Sequence, residues 1–179
     1  MSVTCAKRLR KEMYNLQRAP PDNDIFLVPE EDDIRKWKAY IRGPPDTPFA
    51  GGEGNSRRES LYCPPTLPTG CVYELSISVG QQYPMLPPSM RFVTKVFHPN
   101  VHIDTGEICL DILKKEWSPA WSLQGACRAI VALLSHPEAD SPLNCDAGNM
   151  IRAGDMRAFR SMARFYKEEY APKCWPPRR

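Results

Sequence analysis

From Cys71 to Val79 the side chains alternate: Tyr73, Leu75, Ile77 and Val79 are apolar, and Glu74, Ser76 and Ser78 between them are polar. A period of two marks a strand with one face on a core and the other in water. Lys36–Arg42 repeats the pattern, with Trp37, Ala39 and Ile41 alternating with Lys38 and Tyr40. Short apolar segments at Ile25–Val28 and Ser89–Val93 complete a set of four strands. Consecutive strands predict an antiparallel meander. On either side of them the period is helical. In Thr4–Arg18, Leu9, Met13 and Leu16 share one stripe, and Pro20-Pro21 stops the run. In Ser122–Ser135, Leu123, Cys127, Ile130 and Leu134 keep helical spacing, with Ser122 as the expected cap. Asp155–Tyr170 carries Phe159, Met162, Ala163 and Tyr166 on one face, capped by Asp155. The predicted class is α+β: an N-terminal helix, a four-stranded antiparallel meander sheet and C-terminal helices.

With 179 residues, one domain is expected, over about residues 4–170. Glu53–Gly70 interrupts it with Gly54, Arg57, Arg58, three prolines and no period, and reads as a mobile insertion. Residues 171–179 form a short, basic, proline-rich tail. No apolar run approaches the length of a membrane span, and the charged N-terminus lacks a signal-peptide centre. The final Pro177-Arg178-Arg179 differs from the peroxisomal tripeptide Ser-Lys-Leu. A chain of this kind needs a partner to hold it at an organelle, and no direct membrane insertion is expected. The net charge of +3 does not point to nucleic acid. Lys7, Arg8, Arg10 and Lys11 cluster at the start, either as a solvated helix face or as a docking patch for an acidic partner. The seven cysteines are an odd number without C-x-x-C spacing, which favours reduced thiols and gives no support for a metal site.

The informative block is His98-Pro99-Asn100, then Cys109 within Gly106-Glu107-Ile108-Cys109-Leu110-Asp111-Ile112-Leu113, then Trp117-Ser118-Pro119-Ala120. Each part alone reads blandly. His-Pro-Asn is turn chemistry, a cysteine between Ile108 and Leu110 reads as a small buried hydrophobe, and Trp-Ser-Pro reads as packing before a helix. Taken together, and with Trp37, Ile41-Arg42-Gly43-Pro44, Thr47-Pro48-Phe49, Tyr83-Pro84 and Ser141-Pro142-Leu143-Asn144, the block closely resembles the ubiquitin-conjugating enzyme family. The resemblance runs from about Cys5 to Tyr170.

That resemblance implies two transfers. An activating enzyme spends ATP to place the ubiquitin carboxyl on Cys109 as a thioester; an amine or thiol of a target then attacks it, usually guided by a RING-type ligase. Sulfur is both a nucleophile and a good leaving group, so one hard step becomes two easier ones. No cofactor is implied in this chain, because ATP is used upstream. Asn100 matches the asparagine that supports the oxyanion; bracing the cysteine loop is its equally open alternative. His98 and Pro99 are implied to be structural near the site. Asp111 is a candidate for orienting an incoming amine, and Ser141, with Asp140 beside it, for lining the acceptor approach. Met85, Pro119 and Ala120 match the loops that ligases grip, with Lys7 beside them; the Lys7–Lys11 cluster matches the helix that meets the activating enzyme.

Asp140-Ser141-Pro142-Leu143-Asn144, Asp146, Gly148-Asn149, Ile151-Arg152 and Gly154-Asp155-Met156 further resemble the peroxisomal branch of the family in fungi. That branch implies a membrane-anchored peroxin as holder, the matrix-protein import receptor as substrate and receptor recycling as outcome, at the cytosolic face of the peroxisomal membrane. Three rivals stand beside it: an inactive ubiquitin-binding adaptor, an enzyme for a ubiquitin-like modifier, and an unrelated cysteine hydrolase using His98, His102 or His136. Intact Cys109 and Asn100 speak against the first.

Overall fold

The structure, a computed structural model, describes residues 3–51 and 71–171. The expected insertion at 53–70 and nearly all of the tail lie outside the described residues. The chain runs α1 (Val3–Arg18), β1 (Ile25–Pro29), β2 (Lys36–Arg42), β3 (Val72–Ser78), β4 (Ser89–Phe92), a 3₁₀ turn (Asp111–Leu113), α2 (Leu123–Ser135), α3 (Cys145–Arg152) and α4 (Met156–Tyr170). The strands form one sheet in the order β1-β2-β3-β4, antiparallel throughout. The α+β class is therefore as predicted. The register pairs Trp37 with Ile77 and Ala39 with Leu75, so the inward residues of both alternations meet on one face. Trp37, Ala39, Ile41, Leu75 and Ile77 are all fully buried there.

Across that face lies α2, whose Leu123, Ala126, Cys127, Ile130, Leu133 and Leu134 are buried. Ser122 caps it by accepting from Gly125 N at 3.0 Å, and Asp155 caps α4 by accepting from Ala158 N at 2.9 Å. Both caps satisfy helix-end N–H groups that have no partner within the helix. From α4, Phe159 reaches Phe49 and Phe97, closing an aromatic cluster below the sheet's end.

Two features differ from the sequence expectation. The first is α3, an eight-residue helix that no periodicity announced. Asn144 caps it, and Gly148 lies against Pro142, where an added Cβ would come within 2.7 Å of the ring. A glycine in a helix interior lowers helix propensity, and here close packing requires it. The second is α1. Its buried stripe includes Glu12 at 7% exposure, beside Cys5 and Leu9. The carboxylate accepts from Tyr83 Oη, from Leu123 N at 2.8 Å and from Arg8 Nε at 2.6 Å. Arg8 also donates to Trp121 O at 2.6 Å. Arg8 therefore ties α1 to the rest of the fold and does not belong to the free basic cluster, which leaves Lys7, Arg10 and Lys11 exposed.

Removing the Glu12 carboxylate strands a buried N–H and a buried phenol together. Glu12→Ala is expected to cost about 3 kcal/mol in urea denaturation, because broken buried polar networks leave their partners unsatisfied. Glu12→Gln, which keeps an acceptor, is expected to lose less. Equal stability of Glu12→Ala and the native chain would refute this role.

Candidate active site

The segment after β4 doubles back on itself. Val101 pairs with Ile108, and Glu107 with Arg91. The turn between them is closed by Gly106, at φ +69°, whose N–H donates to His102 O at 2.9 Å. A side chain there is impossible without rebuilding, since an added Cβ would lie 1.9 Å from Phe92 O. This places Cys109 at the end of the returning arm, where its N–H donates to Asn100 O at 2.8 Å. Ile108 before it is buried in the core, and the 3₁₀ turn follows from Asp111. The thiol itself is half-buried.

Asn100 faces the other way along the same junction. Its Nδ2 donates to Glu138 O at 2.9 Å, and its Oδ1 accepts from Glu138 N at 2.9 Å. Pro99 O accepts from Leu143 N at 2.8 Å and from Asn144 N at 3.0 Å. The loop carrying Asp140 and Ser141 is thus clamped at both ends to the His98–Asn100 segment. Asp140 and Ser141 are exposed, as is Asp111. Glu138, whose backbone occupies the Asn100 amide, was missed in the sequence because its part is played by main-chain atoms, which leave no residue signature.

His98 is fully buried. Its Nδ1 accepts from Asn100 N at 3.1 Å, which leaves the proton on Nε2 to donate to Leu133 O at 3.1 Å. Burial pulls its pKa down to about 3, and the Leu133 carbonyl only partly opposes this. Folded His98 stays neutral where the unfolded residue, near 6.5, takes up a proton. The stability it protects is complete above that value and falls as pH drops from about 6.5 toward 3. By linkage the loss between about pH 7.5 and 5 is about 2 kcal/mol. Urea unfolding across that range should show it, and His98→Gln should flatten the slope; an unchanged slope would refute the assignment.

The other thiols sit differently. Cys5 and Cys127 are fully buried, and burial first, then Asp22, pushes the Cys127 thiol up to about 12. Cys71 is half-buried and Cys145 is exposed at the start of α3; Cys63 and Cys174 lie outside the described residues. Among the described residues no three His, Cys, Asp or Glu side chains gather to hold a metal. A cleft of ≈ 590 Å³ between the α1–β1 link and α2 is lined by Pro21, Asp22, Gln124 and Arg128, and contains none of the candidate site residues.

The expected partner-facing residues gather on the α1 side. Met85 is 70% exposed, Leu86 beside it 54%. Trp117 Nε1 donates to Pro84 O at 2.8 Å, joining the Met85 loop to the one bearing exposed Pro119 and Ala120. Glu12 and Arg8 bind both loops to α1, one turn from exposed Lys7. The sequence did not announce this strut.

A half-buried thiol at the end of a clamped arm suits a carrier of a macromolecular acyl group. The sequence model described as "Ubiquitin-conjugating enzyme" matches residues 61–167. PEROXIN-4 of Arabidopsis thaliana is 52% identical over 160 residues, spanning 89% of this chain and 90% of that one. The ubiquitin-conjugating enzyme E2 pex4 of Dictyostelium discoideum is 49% identical over 166 residues, spanning 92% and 98%. The crystal structure of H. polymorpha ubiquitin conjugating enzyme Pex4p in complex with the soluble domain of Pex22p superposes with a TM-score of 0.77 at 34% identity, covering 94% and 99%. The chain belongs to the ubiquitin-conjugating enzyme family. It is a transferase of the ubiquitin pathway, with ubiquitin and the activating enzyme as its partners. The peroxisomal likeness reaches beyond fungi to plant and amoebal relatives.

Proposed function

We propose that Cys109 carries ubiquitin as a thioester and passes it to the peroxisomal matrix-protein import receptor, so that the receptor is extracted from the membrane and reused. The observation that carries the chemistry is the half-buried Cys109 thiol, held through its own N–H by Asn100 O, the same residue whose side chain anchors the loop bearing exposed Asp140 and Ser141. The peroxisomal assignment is supported by the peroxin-4 relatives. No helix among the described residues is long and apolar enough to cross a membrane, and the Pex4p relative was solved with the soluble domain of Pex22p. This chain accordingly works at the cytosolic face of the peroxisome, held by a membrane-anchored peroxin on a surface away from Cys109. Lys7, Arg10 and Lys11 meet the activating enzyme; Met85, Pro119 and Ala120 meet a RING-type ligase. ATP is spent upstream, and the chain uses neither a cofactor nor a metal of its own.

At the acceptor side, Asp111 steers an incoming amine. Ser141 leaves the approach neutral at that position, and among the described residues no hydrogen bond engages its hydroxyl. An ordinary lysine must lose a proton held with a pKa near ~10.4, while a thiol starts near ~8.5, so weak electrostatic help costs a cysteine acceptor less. In cells lacking this protein, the receptor is expected to accumulate unmodified on the peroxisome. Native protein should clear it and Cys109→Ala should not. Receptor recycling that persists without the protein would refute the assignment, as would tagged protein staying on peroxisomes after loss of its anchor.

A further inference from the structure

Two turns on the α1 side expose Met85 and the pair Pro119 and Ala120. Each is closed by its own backbone. Met85 N donates to Gln82 O at 2.7 Å and Leu86 N to the same oxygen at 3.2 Å; Trp121 N donates to Ser118 O at 2.9 Å. The bond from Trp117 Nε1 to Pro84 O joins the turns directly, with the Trp117 ring 6.0 Å from that of Tyr83. A single joint lets two rigid pieces swing. Each turn has a further attachment to α1, and both run through one ion pair, in which Arg8 Nε donates to Glu12 Oε1 at 2.6 Å. From that pair Arg8 Nη2 donates to Trp121 O at 2.6 Å, at the end of one turn. Glu12 Oε1 accepts from Tyr83 Oη, within the other. Burial first, then Glu12, raises the Tyr83 pKa well above the usual phenol range, so the hydroxyl stays protonated and donating.

We propose that Arg8 is a positioning residue for ligase binding: its guanidinium, locked onto Glu12, sets the spacing between the Met85 turn and the Pro119–Ala120 turn, which a RING-type ligase grips together. This rests on the reading of those two turns as the ligase-docking face. The planar guanidinium holds Glu12 through Nε and Trp121 O through Nη2 in one fixed geometry. A lysine ammonium is a point charge on a flexible stem and fixes no such spacing. With Arg8 in place the ligase meets a preformed groove, and little binding free energy is lost to ordering the turns. Without it the turns swing about the Trp117 bond, and binding must first select the right separation. Cys109 is held by the Asn100 arm and not by this pair. The lesion therefore falls on ligase affinity and leaves the chemistry of discharge as it was.

The test follows lysine discharge from the loaded full chain against rising concentrations of a RING domain that accelerates it in the native protein. Arg8→Lys, Arg8→Met, Tyr83→Phe, Met85→Ala and Ile77→Val are compared with the native chain, each well below its melting temperature so that all are folded. Ile77 is buried in the sheet, so its truncation lowers stability without touching either turn. The RING concentration giving half the maximal rate should rise about tenfold in Arg8→Lys and Arg8→Met, the scale of one charge-assisted hydrogen bond lost. Tyr83→Phe, whose ring still packs on Trp117, should show a smaller rise. In all three the maximal rate, and discharge without the RING domain, should stay native. Ile77→Val should keep the native half-saturation although it melts lower. Arg8→Lys at the native half-saturation overturns the inference, because charge alone then suffices. A shift of equal size in Ile77→Val also overturns it, since lost stability would then account for the effect. So does a fall in maximal rate with half-saturation unchanged. If Met85→Ala leaves half-saturation unchanged, or no RING domain accelerates the native chain, the docking reading fails and this inference falls with it. A response to Met85→Ala without one to either Arg8 variant overturns this inference alone.

Discussion

Cys109→Ala is expected to abolish ubiquitin loading, and Cys109→Ser to give an adduct that survives reductant. The serine product would be an oxyester, whose alkoxide is a much poorer leaving group than a thiolate. Its discharge to an acceptor should therefore also fail. The informative control is Cys145→Ala. Cys145 is the exposed thiol of the described set, and a chemistry that merely sought an accessible sulfur would choose it. Its backbone starts α3, though, whereas Cys109 hangs from the Asn100 carbonyl at the end of the clamped arm. Loading with activating enzyme, ATP and ubiquitin, read on a non-reducing gel, should be intact in Cys145→Ala and absent in Cys109→Ala. A thiol-sensitive adduct on Cys109→Ala would refute the assignment. Replacing ubiquitin by ubiquitin-like modifiers in the same assay separates the rival conjugation pathways.

Much of this architecture was legible because it is local. The alternation in Val72–Ser78 specifies both strand and face, and a slip of one residue would bury Glu74 and expose Leu75. Ser122 and Asp155 cap where the residue type before an apolar run says a helix starts. What escaped was non-local or carried by the backbone. Glu12 falls on the buried stripe of α1, but a carboxylate in that position reads as solvent-facing until Tyr83 and Leu123, 71 and 111 residues away, are seen to donate to it. Helix α3 is eight residues long with a glycine in its interior, too short and too interrupted for a period to emerge. Its one local signal was Asn144, a good cap residue, three positions before Ala147. Lys114, whose Nζ lies 3.9 Å from Cys109 Sγ, carried no signal in sequence, since that nearness depends on a 3₁₀ turn that no pattern in Asp111-Ile112-Leu113 announces.

Asn100→Ala is expected to load ubiquitin normally and to discharge it about 10²–10³-fold more slowly, the range seen when one oxyanion donor is removed. The resting geometry places its amide on Glu138, which accounts for one Nδ2 hydrogen and for Oδ1. An asparagine amide has two N–H donors, so the clamp on Glu138 leaves the second unspent, and serving an oxyanion at Cys109 requires the side chain to turn toward the thiol. The two roles predict different kinetics. The link from Cys109 N to Asn100 O is main chain to main chain and survives the substitution; what a pure brace loses is the hold on the Glu138–Ser141 loop. A loosened loop weakens acceptor positioning, and saturating acceptor should restore the rate. A lost donor raises the barrier for every nucleophile, and saturation should not. Discharge should therefore be followed against rising lysine, and separately against hydroxylamine, which is unprotonated at neutral pH and needs no help to lose a proton before attack. A deficit that persists at saturation with both supports the donor. A deficit confined to low lysine, or a loading defect with normal discharge, assigns Asn100 to the brace alone.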